Sequence, residues 1–251
     1  MKKLYEKSEI WFAILWIAVY VVGTSAADAA SEALGLSKLL TLPWLLILSA
    51  AALCFVHASG LRTKYGLCRG KVPAKRFLYY IPLLILASVN LWFGVRMNVS
   101  PLETALYIGS MICVGFLEEL IFRGFLFRAM EKDGVRLAVI VSALTFGVGH
   151  IANLLNGSGA APLETICQIG YATAVGFLFV VIVWRGGSLI PCIVTHAAVN
   201  SLSIFSNEAA QGDGARIAVS VAIALVSVAY AVILLRTVPA SAQIQRGGTN
   251  L

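Results

Sequence analysis

Long apolar runs, each of roughly 18 to 25 residues, recur along this chain from end to end, long enough to cross a bilayer. At about 1.5 Å of rise per residue, such a run covers a hydrocarbon core of about 30 Å. Lipid offers no partner to an unpaired backbone amide or carbonyl, so each run is predicted to be a helix. The pattern places eight of them at residues 10–27, 39–58, 77–97, 102–128, 137–155, 165–184, 188–205 and 217–235. The expected fold class is all-α, a polytopic membrane bundle of about eight transmembrane helices. No internal repeat or low-complexity linker separates the runs, so residues 1–251 read as a single integral membrane domain. The polar stretch 237–251 is expected to be a flexible tail.

Composition points the same way. The 251 residues are 59% hydrophobic and only 12% charged, too apolar for the surface of a water-soluble globule. The charges are also sorted. Eight crossings return both termini to one side, and Lys2, Lys3 and Lys7, the six basic residues of the Gly60–Arg76 loop, and Arg128, Lys132, Arg136, Arg185, Arg236 and Arg246 all fall there. By the positive-inside rule that face is cytoplasmic, and a bacterial inner membrane is the expected location. The opposite face carries only Lys38, Arg96 and Arg216, with Asp28, Glu32, Glu103, Glu164, Glu208 and Asp213. Topology thus accounts for the net charge of +7. Its expected partners are membrane lipid headgroups and not nucleic acid. Lys2 and Lys3 ahead of an apolar run that ends in small residues imitate a secretory signal, but Glu6 and Glu9 interrupt the basic region and an uncleaved anchor is expected. The five cysteines are odd in number, have no paired metal-ligand spacing, and read as small buried residues.

Candidate chemistry comes from polar side chains inside the apolar runs, where each ionisable group costs at least about 2.5 kcal/mol. Five stand out: Glu118, Glu119, Arg123, His150 and His196. Glu119 and Arg123 are four apart and can neutralise one another on one helix face. Glu118 is turned about 100° away and is left for other work. A carboxyl in an apolar site can take and return a proton near neutral pH, as a general base and acid must. Phe146 and His150 share a stripe on the fifth run, as His196 and Asn200 do on the seventh. Counted at about 1.5 Å per residue, Glu118, His150, His196 and Asn200 lie within a turn and a half of one another in depth, near the bilayer midplane. The plainer alternative is a set of interhelical hydrogen bonds that hold the bundle together. His57, near the cytoplasmic end of the second run, reads as an interfacial histidine.

The pattern Glu118-Glu119-x-x-x-Arg123, then Phe146-x-x-x-His150, then His196-x-x-x-Asn200 resembles the CAAX protease and bacteriocin-processing family, also called Abi, over residues 100–205. The resemblance implies a glutamate-dependent intramembrane endopeptidase. Carried over by position, Glu118 and His150 would activate water, His196 and Asn200 would donate to the oxyanion, and Glu119 and Arg123 would support the site. No cofactor is then required. Two histidines and a carboxylate could alternatively form an open zinc site, as older descriptions of the family as metalloproteases suppose. The substrate would be a peptide or lipidated protein in the membrane, a peptide precursor fitting a bacterial chain better than a prenylated C-terminus. A transporter and a non-catalytic immunity protein remain the competing classes.

Overall fold

The structure, a computed structural model, describes residues 1–151 and 162–239. A short amphipathic turn, α1 (Lys2–Lys7), leads into α2 (Glu9–Ala33), whose first turn is capped by Ser8, the hydroxyl accepting from the Trp11 amide at 3.3 Å. Then follow α3 (Thr41–Ala58), α4 (Ile81–Ser88), α5 (Pro101–Glu119), α6 (Phe127–Glu131), α7 (Val135–Gly149), α8 (Pro162–Gly186), α9 (Ile190–Leu202) and α10 (Asp213–Thr237). No strand occurs among the described residues, and the molecule is a helical membrane bundle. Each apolar run contains a helix among the described residues, but not every helix is long enough to cross alone. Among the described residues six spans are long and apolar enough, whereas Val135–Gly149 and Ile190–Phe205 are shorter. The 15 residues of α7 reach only about 22 Å.

Two runs depart from a simple crossing. The third begins with a turn at Ala74–Tyr80 in which Leu78, Tyr79 and Tyr80 have φ of 49°, 52° and 60°. Pro82 has no N–H to return to the Leu78 carbonyl, so a continuous helix cannot pass this point, and α4 is only eight residues long. The fourth run is instead longer than expected, spanning Pro101–Glu131. It starts at a full capping box, with Ser100 and Glu103 satisfying each other's backbone amides and Pro101 in the first turn. Between α5 and α6, residues Leu120–Leu126 form a π-helical turn. Such widening frees carbonyls, and here the Ser142 hydroxyl donates to the Phe122 oxygen at 2.9 Å.

The exposure pattern suits lipid. Ile47 and Leu84 are each 67% exposed on the outer surface, while Glu119 and Arg123 are fully buried inside. An aromatic cluster of Phe12, Trp16, Tyr65 and Phe125 fills the bundle near the basic loops. Cys113 and Cys192 are buried as expected, but Cys54 is exposed on α3, and all five thiols are free. His57 is exposed in the last turn of α3. The end of the expected fifth run, 152–155, and the expected tail from residue 240 onward lie outside the described residues.

Candidate active site

Four helices bring the polar side chains together. Glu118 and Glu119 end α5, Arg123 sits in the π-helical turn, His150 caps the C-terminus of α7, and His196 and Asn200 lie one turn apart on α9. Close approach of α5 to α9 depends on Gly115: a Cβ there would stand 2.6 Å from the Ala197 nitrogen.

One carboxylate oxygen organises the interior of the site. Glu119 Oε1 accepts from Arg123 Nη1 at 2.9 Å and lies 2.8 Å from His196 Nδ1. A carboxylate only accepts, so Nδ1 carries the hydrogen and Nε2 is the ring nitrogen left facing Glu118. The Arg123 guanidinium lies over Phe146, its Cζ 4.0 Å from the ring centroid, and 5.6 Å from that of Phe179. Phe146 also meets both imidazoles edge-on, at 5.4 Å for His150 and 5.6 Å for His196. Glu119 Oε2 and Arg123 Nε and Nη2 are buried with no hydrogen-bond partner among the described residues. A buried ion pair so incompletely satisfied is a poor source of stability. Its visible effect is to fix His196.

Glu118 is held differently. Tyr20 Oη, on α2, donates to Glu118 Oε1 at 2.6 Å, and Glu118 Oε2 stands 3.6 Å from His196 Nε2. That second separation is too long for a direct hydrogen bond. Glu118, His150, His196, Asn200 and Tyr20 all line one cavity of about 580 Å³. Glu119 and Arg123 lie behind its wall. Asn200 is anchored through its backbone, its carbonyl accepting from Ser203 Oγ at 2.7 Å. Asn90 Nδ2 reinforces the same helix by donating to the Val199 carbonyl at 2.7 Å.

All six sequence-predicted residues therefore converge, four on the cavity and two supporting it. Tyr20 was not among them. The only signal available was a phenol in mid-run, which must find a partner when buried, and nothing in the spacing says that the partner is 98 residues away. Among the described residues no three His, Cys, Asp or Glu side chains are grouped as a metal ion would need.

Residues 100–202 match the family model described as type II CAAX prenyl endopeptidase Rce1-like. The matched stretch runs from the cap of α5 to the last residue of α9, so it contains Glu118, Glu119, Arg123, His150, His196 and Asn200 and excludes Tyr20. No curated protein and no solved structure matches the chain.

Proposed function

From the similarity of its α5 to α9 segment to the Rce1-like branch of the CAAX protease and bacteriocin-processing family, we propose that this multi-pass membrane protein is an intramembrane endopeptidase of the glutamate type. The observation that carries the reading is the pairing of Glu118 and His196 across the cavity, with 3.6 Å between Oε2 and Nε2. A water oxygen about 2.8 Å from each atom fits that separation. Glu118 takes a proton from this water, and the resulting hydroxide attacks the scissile carbonyl carbon. The oxygen of that carbonyl gains the negative charge, facing the Asn200 amide, while His196 Nε2 holds the water. Glu118 then returns the proton to the leaving nitrogen as the C–N bond breaks, giving a carboxylic acid and an amine. His150 completes the water's surroundings. The Glu119–Arg123 pair holds His196 in the orientation the step uses.

No step runs through a metal. Glu119 Oε1 is engaged by Arg123 and His196, and the chelator arm of the test decides between this route and a zinc-dependent one. The substrate is a membrane-associated peptide or protein, with a lipidated C-terminus as one form of it. By the positive-inside rule the proposed orientation has both termini in the cytoplasm, and the proposed location is a bacterial inner membrane.

The test is cleavage of a panel of lipidated and unlipidated membrane peptides by the detergent-purified chain, with wild type compared with Glu118→Gln in the presence and absence of a chelator. Cleavage that disappears in Glu118→Gln and persists in chelator is expected. A fully active Glu118→Gln protein would sink the assignment, and chelator-sensitive cleavage restored by zinc would replace it with a metalloprotease. Protection against a membrane-active toxin that survives Glu118→Gln would favour the immunity class.

A further inference from the structure

Among the described residues, those lining the cavity extend to one end of the bundle only. On α5 its wall is the stripe Tyr107, Met111, Val114 and Glu118, about 16 Å long at 1.5 Å per residue. The remaining wall comes from the C-terminal ends of α2, α4, α7 and α9 and the N-terminal ends of α3, α8 and α10. In an up-and-down bundle these are all the same end. None of the Gly60–Arg76 loop lines it, nor do Arg128, Arg136, Arg185 or Arg236.

Below Glu118 and Tyr20 the bundle is sealed. Phe125, two turns beyond Glu118, packs on Phe12 and Tyr65 with ring centroids 5.0 Å apart in each case, and on Trp16 at 5.6 Å. All four rings are at most 2% exposed. The start of α2 is clamped to the basic loop by Lys64 Nζ, 2.6 Å from Glu9 Oε2. Hydrogen bonds from the Lys64 ammonium to Glu9 and Tyr5 hold it protonated above its usual range, although burial opposes this. The open end is polar by contrast. Lys38 Nζ lies 2.8 Å from Asp28 Oδ1, and Arg216 pairs with Glu164; all four line the cavity.

The sealed end is the one that carries the basic loops, and such loops stay in the cytoplasm. We infer that the cavity is loaded from the side of the membrane opposite the cytoplasm, so that its substrate is an extended peptide segment presented on the outer surface. This rests on the endopeptidase reading for the word substrate, but the direction of opening does not. An extended strand advances about 3.3 Å per residue, so about five residues lead from the level of Tyr107 to Glu118. The scissile bond then lies at least about five residues inward of the point where the substrate enters the mouth.

Two native thiols report the two ends: Cys167 on the cavity wall and Cys68 in the basic loop. Gln211→Cys adds a probe at the mouth. Right-side-out and inverted membrane vesicles holding the full-length chain are treated with a membrane-impermeant maleimide, and modified peptides are mapped by mass spectrometry. The Gln211→Cys thiol is expected to be modified in right-side-out vesicles and to lose modification in inverted ones, with Cys68 showing the reverse. Modification of Gln211→Cys only in inverted vesicles, or in neither preparation, overturns the inference. Labelling does not depend on proteolysis, so an active Glu118→Gln protein with the expected labelling would refute Glu118 as the base and leave the outward opening standing.

Discussion

Gly115 is the position at which a single methyl group should reach the chemistry without touching any reacting atom. A Cβ placed there stands 2.6 Å from the Ala197 nitrogen, 2.8 Å from its Cα and 2.9 Å from its Cβ. Two of those atoms are α9 backbone, so no rotamer change relieves the clash. An ordinary contact needs about 3.5 Å, so α9 must retreat from α5 by about 0.9 Å. His196 is the residue before Ala197 and moves with it. The 2.8 Å contact between His196 Nδ1 and Glu119 Oε1 would then open to about 3.7 Å, beyond hydrogen-bonding distance. Overpacking of this kind costs about 1–3 kcal/mol, and a misplacement of about 1 Å in a catalytic group about a hundredfold in rate. Gly115→Ala is therefore expected to lower the thermal unfolding temperature in detergent and to reduce peptide cleavage by about two orders of magnitude. Gly109→Ala on the same helix is the control, since its new methyl would meet only the flexible end of Leu42, at 3.1 Å. That variant should stay close to wild type. A Gly115→Ala protein with unchanged unfolding temperature and rate would refute the claim that α5 and α9 are in register-critical contact.

Tyr20→Phe removes the 2.6 Å hydrogen bond to Glu118 and little else. A bond to a charged group is worth about 1.5–3 kcal/mol, so single-turnover cleavage should slow by about 10- to 150-fold with a near-normal unfolding temperature. An unaffected rate would mean that Tyr20 does not position the base. Glu119→Gln leaves the buried Arg123 charge without its counter-charge, and breaking one half of such a pair costs about 3–5 kcal/mol. Unfolding in detergent should show a large loss of stability, and a variant as stable as wild type would show that Arg123 finds another partner. Asn200→Ala should lower the maximal rate by about 10² to 10³ without changing substrate affinity, as loss of an oxyanion donor does. A change confined to affinity would move Asn200 from the oxyanion to substrate binding.

Some of this architecture was legible because the relevant physics is local. The eight apolar runs announce helices since lipid leaves the backbone no alternative, and Glu119 with Arg123 announces an ion pair because four residues along a helix share a face. Depth counting brought Glu118, His150, His196 and Asn200 to one level, and they do line one cavity. What could not be read depends on contacts between distant segments. Tyr20 finds Glu118 only because α2 packs against the end of α5. The third run reads as one span over 77–97, although Pro82 hints that it breaks near Leu78. The direction in which the cavity opens required knowing that Phe125 is plugged by Phe12, Trp16 and Tyr65. Aromatic residues at those positions look the same in sequence whether they line a channel or close one.

The bond from Tyr20 to Glu118 also has a consequence for biosynthesis. It joins residues 98 positions apart, and the contact of His196 with Glu119 spans another 77. A chain emerging from the ribosome inserts α2 long before α5, and α5 long before α9. From the time Glu119 is made until His196 follows 77 residues later, then, the acidic pair sits in a bundle without the His196 imidazole. If the chain is the proposed endopeptidase, its hydrolytic competence arrives late, when α9 docks, and the nascent chain until then is unable to cut itself or its neighbours.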